Sequence, residues 1–249
     1  MTSGRASPCS PASLGGNVPG TGPQPAPSAP EIIRSGTELA PVPLVPEIRL
    51  YQASEPIQLW QRTEQAAGRT GLDPPFWAFA WAGGRALARY LLDHPEAVRG
   101  QRVIDVASGS GLVAIAAAKA GAAAVTAYDI DPLAAAAITV NAEANGVAVP
   151  AVCADVLAAD GPPASGPDLV LVADAFYEKD LAGQVLRFLE RSRARGAAVL
   201  AGDFGRTYLP RARLAALASY DVPGLLAMEG SETKRTTIWT LRWPVPVAE

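Results

Sequence analysis

Beyond residue 101 the apolar positions fall into short runs separated by longer stretches of helical spacing. Arg102 to Ala107 (RVIDVA) is rich in β-branched residues, and the turn at 108–111 (SGSG) leads into an alanine-rich helical stretch that ends before Gly121. Ala123 to Tyr128 repeats the strand pattern. Asp131-Pro132 then offers an N-cap followed by proline at the first helical position, and Asn145-Gly146 offers the stop. Val147 to Val156 predicts a third strand, Asp168 to Ala173 (DLVLVA) a fourth and Ala197 to Ala201 a fifth. Between the last two, Glu178 to Arg195 predicts a helix with Leu181, Val185, Phe188 and Leu189 on one side. Strands alternating with helices predict an α/β fold with a parallel, doubly wound sheet, because each parallel crossover takes a helix and turns right-handed. Residues 221–243 break the rhythm. They hold two strand-like runs, the second Lys234 to Trp243, joined by a short Gly, Ser and Glu segment with no room for a helix, which predicts an antiparallel hairpin at the sheet edge.

The N-terminal part is different. Ten of the 23 prolines lie in the first 46 residues, and residues 1–30 carry one charge, Arg5. Residues 1–45 read as a disordered tail rich in Pro, Gly, Ser and Ala, without the apolar core of a signal peptide. The rest reads as one domain over 46–249, with a lid and substrate region at 46–100 and a sheet core at 101–249. The most apolar stretch, Leu112 to Tyr128, is mostly alanine and is broken by Lys119 and Gly121, short of the roughly 20 strongly apolar residues that a bilayer needs. A net charge of -3 and a pI of about 5.3 give no global attraction to nucleic acid or acidic lipid. Cys9 and Cys153 are too few for a disulfide scaffold, and with one histidine, His94, no metal site is expected. These features predict a cytoplasmic protein with neither nucleic-acid nor membrane partner, and leave its oligomeric state open.

In open α/β sheets ligands bind beyond the carboxyl ends of the strands. Four acidic residues stand there: Asp105 just before the glycine turn, Asp129 closing the second strand, Asp155 ending the third and Asp174 ending the fourth. Gly109-x-Gly111-x-x-Ala114, with Asp129 twenty residues after Gly109, also fits a dinucleotide fingerprint. Electrostatics separates the two ligands. A dinucleotide brings phosphates that a rim of carboxylates repels, whereas S-adenosylmethionine brings a sulfonium and an ammonium that the rim attracts. On that reading Gly109 and Gly111 let backbone approach the donor, and Asp105 orders the turn and receives the methionine ammonium. Asp129 accepts from the ribose hydroxyls. Asp155, with the backbone of Val156, meets the adenine amino group, and Ala173-Asp174 lies beneath the sulfonium. Ala107 and Ile130 complete the candidate donor site, while Asp131 is expected to be a helix cap. After the fourth strand, Asp174-Ala175-Phe176-Tyr177 can hold an amine between a carboxylate and ring faces. The cluster Phe76, Trp77, Phe79 and Trp81, followed by Gly83-Gly84, suggests an aromatic lid of which two or three rings cap the core. His94 reads as a solvated helix end. Arg191, Arg193 and Arg195 suit a helix C-terminus or an acidic docking partner.

Five blocks carry a resemblance: DPPFWAFAWAGGRALARYLLDHP at 73–95, VIDVASGSG at 103–111, YDIDPLAAAAITVNAEAN at 128–145, DAFYEKDL at 174–181 and GDFGR at 202–206. Together they resemble the seven-β-strand lysine methyltransferases that act on the electron transfer flavoprotein β subunit, over about residues 45–243. Ala107 departs from the pattern, standing where a glycine is common. The resemblance implies a Rossmann-like, seven-stranded class I sheet dependent on S-adenosylmethionine, and methyl transfer to lysine side chains of a protein. It also implies Trp81 in the donor pocket and Phe176 and Tyr177 in the acceptor channel; from the chemistry of the strand-four exit, Asp174 or Tyr177 is expected to orient the amine as the catalytic group. Neighbouring families methylate ribosomal proteins, so a ribosomal protein or a small-molecule amine stands as the alternative acceptor. A nicotinamide-dependent oxidoreductase, a methyltransferase for a nucleic-acid amine and a catalytically silent donor-binding module are the remaining alternatives.

Overall fold

The computed structural model describes residues 27–68, 70–158, 166–224 and 233–242. Along the chain come α1 (Ala29–Gly36), β1 (Glu38–Val42), β2 (Val45–Gln52), α2 (Pro56–Ala67), α3 (Ala82–Asp93), β3 (Arg102–Val106) and α4 (Leu112–Lys119). Then follow β4 (Ala124–Asp129), α5 (Pro132–Ala144), β5 (Ala151–Cys153), β6 (Leu169–Ala173), α6 (Lys179–Ala194), β7 (Ala198–Asp203), β8 (Leu214–Val222) and β9 (Lys234–Leu241). The main sheet has seven strands in the order β5-β4-β3-β6-β7-β9-β8. Its first five are parallel, while β9 runs antiparallel between β7 and β8.

Side chains alternate between two buried faces. Val103, Leu169, Leu171 and Leu200 point into one core with Leu87 and Leu91 of α3 and Ile115 of α4. Ile104, Val170, Val172 and Val199 point the other way, onto Val185, Phe188 and Leu189 of α6. The strands are therefore apolar on both sides, as a helix-covered parallel sheet requires. From β3 the chain winds outward to β4 and β5, then returns past β3 to β6 and β7. The reversal places a crevice beyond the ends of β3 and β6, where ligands of such sheets bind.

Three sequence expectations change. The tail expected through residue 45 gives way earlier: residues 29–42 form α1, with Glu31 accepting from the Ser28 amide at its start, and β1, which pairs with β2 in a hairpin; α1 and β2 pack on α5. Proline-rich composition hid a capped helix with a buried Ile33. Residues 1–26 lie outside the described residues. The third strand shrinks to Ala151–Cys153, because Pro150 has no N–H to give a ladder and only its carbonyl, accepting from Ala127, joins the sheet. The first strand of the C-terminal hairpin spans Leu214–Val222 and so ends where the sequence suggested a start. As an edge strand it buries few side chains, and its alanines mask the alternation. The hairpin itself is present, and its connection at 225–232 lies outside the described residues.

Candidate functional site

The side where the sequence expects the donor is built around the turn after β3. Backbone at Ala107, Gly109 and Gly111 is left-handed, with φ of 53°, 55° and 82°. A side chain at such a φ costs about 1–2 kcal/mol, which Ala107 bears. Buried Asp105 holds the turn: its Oδ2 accepts from Ser108 Oγ at 2.5 Å and from the Ala114 amide at 3.1 Å. Ala114 lies in the first turn of α4, where an amide has no partner inside the helix, so Asp105 does the work of a cap. Burial pushes the Asp105 carboxyl up to about 7, with the nearby Asp129 adding to it. Gly111 is needed for another reason than ligand approach. A Cβ there would stand 3.2 Å from the Ile138 Cα of α5, so this glycine lets two helices meet.

Asp129 ends β4 with both oxygens on backbone: Oδ2 accepts from the Gly109 amide at 2.8 Å and Oδ1 from the Asp131 amide at 3.0 Å. Burial raises its pKa despite those bonds. Each oxygen keeps a lone pair for a hydroxyl donor. Ile130 beside it is 59% exposed, an apolar face at a polar rim. Asp131 caps α5 through the Leu133 amide at 2.8 Å, as its sequence context suggested, and burial pushes it up to about 6. Asp155 accepts from the amides of Leu157 and Ala158 at 3.0 and 3.1 Å and fixes the turn after β5. The Val156 amide donates to Ala154 O at 3.2 Å, and its side chain is buried.

Asn141 went unnoticed in the sequence. Fully buried, it donates to Ser110 O at 2.8 Å and accepts from the Tyr51 amide at 2.8 Å, tying the glycine turn to β2. Asn145 accepts from the Arg49 amide and donates back to its carbonyl. A signal existed: Ile138, Asn141 and Asn145 are spaced by three and four, which puts two amides on the buried stripe of an alanine-rich helix.

On the side where the sequence expects the acceptor, Asp174 is left-handed, with φ 58°. Its Oδ2 accepts from the Gly84 amide at 2.8 Å, and its Oδ1 accepts a short hydrogen bond from the Arg206 guanidinium. The N-terminus of α3 sits close against β7: a Cβ on Gly83 would lie 2.3 Å from Gly202 O and 2.7 Å from Asp174 Oδ2. Arg206 comes from the turn after β7, where Asp203 Oδ1 accepts from the Gly205 and Arg206 amides at 2.6 and 2.7 Å. Asp203 is 0% exposed, and its Oδ2 faces Arg206 at 3.5 Å. Burial works against charge on Arg206, but the Asp174 and Asp203 carboxylates outweigh it and drive its pKa upward. Burial, then the Asp174 charge, raises Asp203. Neither Arg206 nor Asp203 was singled out in the sequence, although Asp203-x-Gly205 is a turn signature.

The aromatic groups sort differently from the sequence expectation. Phe176 is 0% exposed among Val170, Val172 and Phe188, so it is a core residue and not part of an acceptor channel. The left-handed residue at Asp174 turns the chain so that Phe176 dives under the sheet while Tyr177, 53% exposed, faces out. Its place at the rim is taken by Phe76, 42% exposed, whose ring centroid lies 6.1 Å from Tyr177 and 6.0 Å from Trp81. Trp81 is half-buried, and its Nε1 donates to Phe76 O at 2.9 Å. Trp77 and Phe79 belong to the core, in line with the expectation that some lid aromatics cap it. Burial, followed by the charges of Glu178, Asp73 and Asp129, raises the Tyr177 pKa, so this phenol stays protonated amid carboxylates.

The other basic and histidine candidates are spent locally. Arg191 donates to Leu157 O and lies over the Phe188 ring, and Arg193 reaches Ala197 O. His94 sits at the end of α3 beside Glu96 and the Tyr90 ring. Among the described residues no cluster of His, Cys, Asp or Glu could hold a metal, and no helix is long and apolar enough to cross a membrane.

Comparison with known proteins places this cleft in context. A family model described as ribosomal protein L11 methyltransferase (PrmA) matches residues 87–179. The chain is 36% identical over 203 residues to the electron transfer flavoprotein beta subunit lysine methyltransferase of Mus musculus, a match covering 79% of this chain and 77% of that protein. The Xenopus laevis protein of the same name is 37% identical over 210 residues, covering 82% and 83%. Among solved structures, the ribosomal protein L11 methylase of Lactobacillus delbrueckii subsp. bulgaricus aligns with TM-score 0.44 and 21% identity over 63% of this chain and 77% of that one.

Proposed function

Since the chain belongs to the electron transfer flavoprotein β-subunit lysine methyltransferase family, we propose that its substrate is a lysine of an electron transfer flavoprotein β subunit. It is an S-adenosylmethionine-dependent protein methyltransferase. The observation that carries the finer reading is the set of carboxylates along one edge of the sheet, with Asp105 on β3, Asp129 at the end of β4, and Asp155 and Asp174 just beyond β5 and β6. Such a rim attracts a cationic donor and a cationic acceptor alike.

The residues fit the donor. Asp129 retains lone pairs for ribose hydroxyls, and the exposed Ile130 beside it supports an apolar ring face there. When bound, S-adenosylmethionine supplies a methyl group on a sulfonium, whose bond to carbon breaks with its electron pair going to sulfur. The chain must bring a neutral amine to that carbon. A lysine near its ordinary pKa pays about 4–5 kcal/mol to lose its proton at pH 7. The carboxylates around Tyr177 draw the ammonium in, and the proton leaves to solvent as a positively charged neighbour disfavours a second charge. Asp174 then accepts from an N–H of the amine and aims its lone pair, while the faces of Phe76, Trp81 and Tyr177 shelter it from water. The Tyr177 phenol, kept protonated, serves for orientation and not as a base.

The test is direct. Enzyme and tritiated donor are incubated separately with purified electron transfer flavoprotein, with ribosomal protein L11 and with small amines, and products are mapped by mass spectrometry. Label on lysine of the flavoprotein β subunit is the expected result. Label on the ribosomal protein alone would transfer the assignment to that acceptor.

A further inference from the structure

We infer that Arg206 is a positioning residue for methyl transfer: backed by Asp203, it holds the Asp174 carboxylate in the one orientation that faces the acceptor amine. The inference rests on the proposed amine-methylating role of this cleft. Asp174 follows β6 on a left-handed residue, a conformation that offers its side chain no support from the strand. Its two oxygens are instead gripped from opposite sides, one by the Gly84 amide and the other by Arg206. Gly83 and Gly202 remove the side chains that would keep the Gly84 amide away.

Arg206 is itself fixed more firmly than a single ion pair demands. Its amide is bound by Asp203, its guanidinium lies between the Asp174 and Asp203 carboxylates, and its plane covers the Phe204 ring at 4.5 Å. Asp203 is fully buried, and its Oδ2 finds no hydrogen-bond partner among the described residues, only the guanidinium at 3.5 Å. Burying a second carboxylate is costly, and its return is an arginine that cannot swing away. With both carboxyls ionised, the three groups together carry one net negative charge.

Arg206→Met, Arg206→Lys and Asp203→Asn would be compared for donor Kd by calorimetry, for kcat and KM on the methylated protein, and for the Gly84 amide signal by glycine-selective 15N NMR. Arg206→Met should lose about a hundredfold in kcat, the scale of a misplaced reacting group, with donor Kd and acceptor KM little changed. Arg206→Lys should recover most of kcat, and the Gly84 signal should move in the Met variant and return in the Lys variant. Retained kcat in Arg206→Met, or a Lys variant as slow as the Met variant, overturns the inference. If Arg206→Met does not fold, Asp203→Asn decides: lowered kcat at unchanged donor Kd supports the inference, and unchanged kcat overturns it. Should the flavoprotein not be the acceptor, the Gly84 signal still discriminates, since it needs no acceptor, and an unmoved signal in Arg206→Met overturns the inference.

Discussion

The two halves of the cleft are held by different kinds of bond. On the proposed donor side Asp105, Asp129, Asp131 and Asp155 all accept from backbone amides no more than twenty residues away. On the acceptor side, Asp174 depends on Gly84, ninety residues upstream, and on Arg206, thirty-two residues downstream. Amide-held carboxylates survive changes in surrounding side chains, whereas a carboxylate held by a guanidinium can be retuned by one substitution.

Breaking the donor half should give the largest effect. Asp129→Ala removes a carboxylate poised for two hydroxyls and should weaken donor binding by roughly a hundredfold, given charge-assisted hydrogen bonds worth about 1.5–3 kcal/mol each. Unchanged affinity by calorimetry would refute the ribose assignment. Next comes Gly83→Ala, whose methyl would meet Gly202 O and Asp174 Oδ2. It should destabilise the fold by about 1–3 kcal/mol in urea denaturation and slow methylation, with donor affinity spared.

Acidity sharpens the same contrast. The folded Asp105 carboxyl, at about 7, lies well above the ordinary carboxylate value, so its contribution to stability is full below about pH 4 and is lost as pH rises through 7. Asp131, at about 6, acts in the same direction. A cationic donor favours the ionised forms, so donor binding should strengthen with pH up to 7, by at most about tenfold per pH unit for one linked proton. Titration at pH 6 in buffers of different ionisation enthalpy should register proton release, reduced in Asp105→Asn; no release would break the linkage. The smallest effect is expected of Ala107→Gly, which relieves a left-handed alanine and should stabilise the protein by about 0.5–1 kcal/mol in a melting or denaturant series.

Most of the β3–β4 half was readable in the sequence because its geometry is local, the exception being Asn141, whose partners Ser110 and Tyr51 lie thirty-one and ninety residues away. A β-branched run, a glycine turn and an aspartate ending the next strand define β3, the turn and Asp129 with no knowledge of distant contacts, and Asp131-Pro132 marks a helix start by itself. The acceptor half was not. Phe176 and Tyr177 differ in fate because of one backbone angle at Asp174, which composition does not encode. Arg206 acquires its role only when β6 and β7 lie side by side. Strand β8 escaped for another reason: an edge strand with few buried side chains imposes little alternation on its residues.

The place of β9 also governs how the molecule is assembled during synthesis. Because β8 touches the sheet only through β9, a nascent chain that has not yet delivered residues 234–241 carries β8 with no hydrogen-bonded neighbour and β7 as a bare margin. Two unpaired edges would then be open to other chains, a hazard that closes only when the last strand slides between them.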